Sequence, residues 1–339
     1  MYSEMASRVK PLVSTKWLAE ALLASEARSK STLGAEATSG KVVALDASWH
    51  MPFYGGKASL KERNEKGQIW DDNSGSWRDL PVVRSGYLEY VEKRIPHARF
   101  FDIDAVSDQI TPLPHMLPAP EDFSLAMQAL GITRNDHVVI YDSMGIFSSP
   151  RVYWTFKMFH HSRVSVLDGG LPKWLEEGLP IARGEQKFTE SEYPDIGMDS
   201  SHLMDYITLT NHVKDFQFPG RVTVVDARPP LRFKGLAEEP RPGLRKGHIP
   251  TSRNIPFGSL IDPTTRQLLP PEALKKVFDF ANVDLSKPTV FSCGSGVTAC
   301  TLYLAADILG AKDIKVYDGS WAEWGSKKEA PIQSDNSEF

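Results

Sequence analysis

Val164-Ser165-Val166-Leu167-Asp168-Gly169 and Ile314-Lys315-Val316-Tyr317-Asp318-Gly319 are two copies of one phrase, each followed by a tryptophan, at 174 and 321. Each reads as a short buried strand closed by a turn. Three further pairs echo it. Val42-Val43-Ala44-Leu45-Asp46-Ala47 matches Val222-Thr223-Val224-Val225-Asp226-Ala227, and Ile95-Pro96 matches Ile249-Pro250. Val138-Val139-Ile140-Tyr141-Asp142 matches Thr289-Val290-Phe291-Ser292-Cys293. In chain order the offsets are 180, 154, 151 and 150, and the steadiness of the last three marks a duplicated unit. The step from 180 to 154 puts about 26 extra residues between Asp46 and Ile95. That stretch holds Gly55-Gly56-Lys57 and Asp71-Asp72-Asn73-Ser74-Gly75 and reads as a surface excursion.

Helical runs separate the strands, at 123–130, 152–158, 272–280 and 297–309. Such alternation predicts an α/β fold in which each unit is a parallel sheet flanked by helices. A chain of 339 residues accommodates two such units. The first spans 1–183, an aperiodic polar linker 184–204, the second unit 205–330, and a polar tail 331–339. The chain past Gly325 is expected to lie loose.

A formal net charge of −4 leaves no basic footprint, which argues against direct nucleic-acid binding or an anionic membrane surface. No run of eighteen apolar residues is present, so no membrane span is expected. Met1 to Lys10 lacks the apolar core of a secretion signal, while Arg8 and Lys10 beside Glu4 leave a mitochondrial leader open. Two cysteines, Cys293 and Cys300, are too few for a disulfide framework or a thiolate zinc site. Free thiols suit a reducing compartment, cytoplasmic or mitochondrial. With no metal-ligand cluster, phosphate loop or dinucleotide fingerprint, no cofactor is expected.

The chemistry concentrates in Cys293-Gly294-Ser295-Gly296-Val297-Thr298, between a predicted strand and a predicted helix capped by Gly310. Successive N–H groups there can turn inward as an anion nest, and the following helix adds positive potential; together they stabilise a thiolate. A phosphatase built on such a loop needs an arginine six residues past the cysteine. Position 299 is alanine, and no Lys or Arg lies between 293 and 311. Sulfur carriage needs only the thiolate and a nest for the outer sulfur of Cys–S–S⁻.

From Cys293 to Ala299 the loop resembles the tandem-rhodanese sulfurtransferases, in the 3-mercaptopyruvate branch. The resemblance extends through Phe101-Asp102-Ile103-Asp104, His115-Met116-Leu117-Pro118, Arg232-Phe233-Lys234-Gly235, Glu239-Pro240-Arg241, Gly247-His248-Ile249-Pro250 and Asp318-Gly319-Ser320-Trp321. It covers roughly residues 10–330, with the excursion like that of fungal members. Thiosulfate-preferring relatives carry basic residues just past the cysteine, where this chain has Gly294 and Ser295. Asp142 stands at the duplicate position of Cys293, as in a family whose C-terminal unit alone carries the nucleophile. Arg94-Ile95-Pro96-His97 departs from the usual His-Ile-Pro-Gly.

The resemblance implies sulfur transfer from 3-mercaptopyruvate through a Cys293 persulfide, with release of pyruvate. Arg232 and Arg241 would clamp the substrate beside Gly294, Gly296, Val297 and Thr298. Ser295, His115 and Asp104 would form a proton relay, the latter two from the first unit. Thioredoxin, a small thiol or cyanide would accept the sulfur. Alternatives are a thiosulfate sulfurtransferase, or a persulfide relay loaded by a cysteine desulfurase and serving a tRNA-thiolation protein. His248 reads as a turn residue, Cys300 as packing, and Trp174, Trp321 and Trp324 as core.

Overall fold

A computed structural model describes residues 9–31, 40–51, 85–214 and 222–335. The polar runs at 55–57 and 71–75 fall outside them. One sheet comprises β1 (Leu12–Val13), β2 (Val42–Asp46), β3 (Arg99–Phe100), β4 (His137–Tyr141) and β5 (Val164–Leu167), in the order β1-β5-β4-β2-β3. The other comprises β6 (Leu203–Met204), β7 (Thr223–Asp226), β8 (Arg253–Asn254), β9 (Thr289–Ser292) and β10 (Ile314–Tyr317), in the order β6-β10-β9-β7-β8. Subtracting five from each label of the second order returns the first, and every pairing is parallel. The first unit's helices are α1 (Thr15–Ser31), α2 (Gly86–Glu92), α3 (Pro120–Ala129), α4 (Ser149–Met158) and α5 (Gly170–Glu176). The second unit's are α6 (Tyr206–Lys214), α7 (Pro230–Phe233), α8 (Pro271–Phe280), α9 (Ala299–Ile308) and α10 (Ser320–Trp324). Central strands such as β4 and β9 are buried at every residue, which is why they read as apolar runs rather than alternations.

The duplication extends to a turn. Ala98 N–H donates to Ile95 and Ser252 N–H to Ile249, both at 3.1 Å, closing Ile95-Pro96-His97-Ala98 and Ile249-Pro250-Thr251-Ser252. Proline at the second place and positive φ at the third (59° for His97, 64° for Thr251) give the type II pattern. A side chain in that left-handed conformation costs ~1 kcal/mol, the reason glycine is usual where His97 stands.

α4 follows β4, α9 follows β9, and these two helices pack on each other between the sheets. Val152, Phe156, Leu302 and Leu304 are fully buried, and residues of both sheets, Val138 and Phe291 among them, share one apolar cluster. Asp307 on α9 accepts from Tyr153 Oη (2.6 Å) and Lys157 Nζ (2.8 Å) on α4. Among the described residues, no helix is long and apolar enough to cross a membrane.

Two segments are better held than their polarity suggests. Ser191 N–H donates to Gln128, Ser124 Oγ to the Tyr193 carbonyl, and Asp199 N–H to Met158, so most of 184–204 is fastened to the first unit. Its last two residues, β6, already pair in the second sheet. The loose end expected past Gly325 is corrected as far as Asp335. Gln333 exchanges two backbone hydrogen bonds with His248, and Trp324 Nε1 donates to the Pro331 carbonyl. Backbone pairing and a buried indole restrain this segment, features that its polar composition hides.

Because one core spans both units, the described structure should unfold in one calorimetric transition. Leu302→Ala should lower stability by about 2–5 kcal/mol without splitting that transition, read by scanning calorimetry and urea melts. Two resolved transitions would refute the shared core.

Candidate active site

The loop after β9 is fixed from behind. The Cys293 carbonyl accepts from Trp321 N–H (3.0 Å), the Gly294 carbonyl from Ala322 N–H (2.8 Å), and Cys293 N–H donates to Ser320 Oγ (3.1 Å). With these carbonyls turned toward α10, the N–H groups of Gly294 to Thr298 have no protein acceptor among the described residues. They are the groups that the sequence assigns to an anion nest; buried Cys293 (2% exposed) precedes them and α9 starts just after them, at Ala299. Gly296 is obligatory, since its φ is +76° and a Cβ would lie 2.8 Å from both Arg151 Nη1 and the Asp318 carbonyl.

The duplicate loop shows what such a nest holds. Asp142, at the position duplicate to Cys293, folds its carboxylate into its own loop. Oδ1 accepts from Met144 N–H (2.9 Å), and Oδ2 from Phe147 N–H (2.9 Å), Ser148 N–H (3.1 Å), Ser149 N–H (2.9 Å) and Ser149 Oγ (2.6 Å). An anion is thus already bound in the first unit, supplied by the chain itself.

The arginines of the expected clamp come from the segment after β7. Arg232 Nη2 lies 3.1 Å from where a Gly294 Cβ would stand, which puts its guanidinium at the loop. Glu239 holds it there, accepting from Arg232 Nε (3.1 Å) and Nη2 (2.5 Å) through Oε2. The other Glu239 oxygen takes Arg228 Nη1 (2.7 Å), and Arg228 is bidentate to Asp226 and stacks over Trp321 at 4.2 Å. This Asp226–Arg228–Glu239–Arg232 ladder therefore lies against the ring of Trp321, the residue whose backbone N–H holds the Cys293 carbonyl. His248 has the turn role read from its sequence: its Nδ1 pairs with the Phe233 carbonyl at 2.8 Å and its ring stacks on Phe233 at 3.9 Å.

His115 reaches this group from the first unit. Its Nε2 lies 3.2 Å from Arg241 Nη2 and its Nδ1 2.9 Å from Asp104 Oδ1. Arginine can only donate, so Nε2 accepts and the ring proton sits on Nδ1, facing Asp104. That Asp104 contact is a close approach of the neutral imidazole to a carboxylate 56% exposed, at a poor hydrogen-bonding angle. Trp49 holds both partners, its Nε1 donating to Asp104 Oδ2 (2.9 Å) and its ring meeting His115 edge-on at 4.8 Å. Burial pushes the His115 imidazole below the usual histidine range, Asp104 opposes that, and Arg151 and Arg241 add to it. For Asp104, burial acts upward, but His115, Trp49 and Arg241 bring its carboxyl below the ordinary range. Ser295 is buried in the nest, yet both His115 nitrogens are engaged elsewhere, so no direct Ser295–His115 hydrogen bond is made. Cys300 lies beneath the loop, donating to the Gly296 carbonyl at 3.2 Å; burial raises its thiol.

Sequence reasoning missed Arg151, Arg228, Glu239, Ser320 and Trp49 as parts of the site. Arg151 matters most. It is 2% exposed on α4, and its guanidinium reaches the Asp318 carboxylate (2.5 Å), the Gly296 carbonyl (3.3 Å) and the His115 carbonyl. The cation absent from positions 294–310 is thus brought under the loop by the other unit. Its one signal in the sequence is a charge at the start of the apolar run Val152 to Met158.

The rhodanese-like domain model matches this chain twice, over residues 82–177 and 210–327. The thiosulfate/3-mercaptopyruvate sulfurtransferase 1, mitochondrial, of Arabidopsis thaliana is 37% identical over 350 residues, 98% of this chain and 89% of that protein. A probable 3-mercaptopyruvate sulfurtransferase of Schizosaccharomyces pombe is 39% identical over 282 residues, 83% and 93% of the two chains. The crystal structure of the Tum1 protein from Saccharomyces cerevisiae superposes with a TM-score of 0.77 at 30% identity, covering 96% of this chain and 98% of that one.

Since burial holds His115 below the usual histidine value of about 6.5, its ring should titrate below that pH in NMR spectra. Asp104 favours the charged imidazolium, so Asp104→Asn should move the midpoint lower still. An upward shift in the variant would contradict the pairing.

Proposed function

Because this chain belongs to the rhodanese-domain sulfurtransferases, we propose that it takes sulfur from 3-mercaptopyruvate onto Cys293 and passes it to a thiol acceptor. The carrying observation is Cys293 at the head of a run of N–H groups without a protein acceptor, with the Arg232 guanidinium at Gly294 and Arg241 paired to His115. The Cys293 thiolate attacks the substrate's sulfur as the C–S bond breaks, and the bonding pair remains on the three-carbon fragment as the enolate of pyruvate. Arg232 and Arg241 offset charge on the carboxylate and the developing enolate. The proton released from the substrate thiol ends on the enolate carbon, giving pyruvate, while Cys–S–S⁻ rests its outer sulfur on the N–H groups of Gly294 to Thr298. An incoming thiolate then attacks that outer sulfur and restores Cys293. Thioredoxin or a small thiol in a cytoplasmic or mitochondrial setting meets the requirement.

The Arg241–His115 contact adds an ordering to these steps. A substrate carboxylate is a stronger acceptor than an imidazole nitrogen and displaces His115 from Arg241. Nε2 then becomes free to take a proton, the condition for a relay that includes Ser295. The relay therefore forms when substrate is in place.

Steady-state assays with 3-mercaptopyruvate and with thiosulfate, following pyruvate and the intact mass of Cys293 together, test the reading. Higher kcat/KM with thiosulfate would overturn the donor, and turnover by Cys293→Ser would overturn the carrier. Arg241→Ala should lower kcat/KM for 3-mercaptopyruvate roughly 10- to 100-fold, the ~1.5–3 kcal/mol of a hydrogen bond to a charged group. An unchanged value would remove Arg241 from the clamp.

A further inference from the structure

Among the buried charges at the site that the relay and the clamp leave unused, Arg151 comes from the first unit. Arg151 sits where three loops meet, and its fork is divided among them: one nitrogen on the Asp318 carboxylate and the Gly296 carbonyl, the other on the His115 carbonyl. Each recipient controls a different part of the site. Gly296 is the middle of the nest. His115 sits in a left-handed backbone conformation (φ 62°) that needs support from its surroundings. Asp318 also accepts Leu117 N–H at 2.9 Å and directly precedes the segment that holds the carbonyls of Cys293 and Gly294.

Arg151 is itself aimed by Asp142. The Asp142 carboxylate gathers the N–H groups of Ser148 and Ser149 at the start of α4, within three residues of Arg151. The guanidinium also lies over the Trp154 ring, 4.8 Å from its centroid.

We propose that Asp142 and Arg151 form a positioning arm, by which the unit without a nucleophile sets the curvature of the Cys293 nest and its register with His115. Neither residue touches the reacting atoms; they act through Gly296, Asp318 and the His115 backbone. The inference rests on the sulfur-transfer reading, but its first readout, Cys293 alkylation, needs no donor. The first unit thus contributes orientation as well as the His115 relay.

The test compares Arg151→Lys, Asp142→Asn and the paired replacement Arg151→Met with Asp318→Leu in the full chain. Lysine keeps the charge but lacks a fork that spans three acceptors. The paired replacement removes both buried charges together, so folding is preserved where a single deletion leaves one unpaired. For each variant, thermal midpoint, the pH dependence of Cys293 alkylation by iodoacetamide, and kcat and KM are measured. Arg151→Lys should shift the alkylation profile toward higher pH and lower kcat at least tenfold with KM changed less. Asp142→Asn should fall between it and the parent. The paired variant should keep its thermal midpoint yet remain at least tenfold slow, and guanidinium ion should partly restore kcat to Arg151→Ala. A paired variant within twofold of the parent in kcat, or an unmoved alkylation profile in Arg151→Lys, would overturn the proposal. A parent inert with every donor but with shifted profiles in the variants would defeat the sulfur-transfer reading and leave the arm intact.

Discussion

The packing of α4 on α9 is the constraint from which the rest of this structure follows. In a parallel sheet, the loop after a central strand opens at the strand's C-terminal end and leads into a helix N-terminus, a natural place for an anion. Duplication produced two such loops, and joining their helices set the two loops side by side. A single site could then draw on both. Val152, Phe156, Leu302 and Leu304 supply the apolar contact, while Tyr153, Lys157 and Asp307 fix its register.

Burying Arg151 at that junction has an energetic consequence. Removing one member of a buried pair such as Arg151–Asp318 costs about 3–5 kcal/mol, because the survivor keeps an uncompensated charge. Burial works against the arginine's charge, yet Asp318 outweighs it and keeps the guanidinium protonated. A second ladder, Asp226–Arg228–Glu239–Arg232, meets the same loop from the other side. The nest itself is made of backbone N–H groups and carries no net charge. Charged groups surround it, and Arg232, half-buried, lies at Gly294.

The two nests illustrate how one backbone device serves two ends. In the first unit the Asp142 carboxylate takes the N–H groups at the start of α4; in the second, Cys293 stands at the equivalent position. Much of this was legible in the chain. The repeated strands gave the fold class, and the type II turns at Ile95 and Ile249 confirm that duplication in atomic detail. Cys293, its glycines and the cap at Gly310 (φ +83°) lie where the sequence put them, although α9 starts at Ala299, two residues later than its apolar spacing suggests. Of the residues that the resemblance implied, Arg241, His115 and Asp104 touch in turn and Arg232 lies at Gly294. The Ser295–His115 link does not form, because Arg241 holds the nitrogen it would need.

What the sequence by itself determined is whatever depends on neighbours along the chain: strand periodicity, the glycine-bearing turn after β9, and the cysteine that heads it. These are local because backbone conformation is decided within a few residues. Tertiary structure alone decided which distant charges share the site. The sequence contains no basic residue close after Cys293, yet Arg151 lies beneath the loop, 145 residues from the Gly296 carbonyl that it holds. Such a contact depends on how two helices pack, and helix packing leaves no periodic mark on the spacing of buried charges. The Cys293 loop could therefore be identified from its own residues, while the cation that shapes it could be found only in the fold.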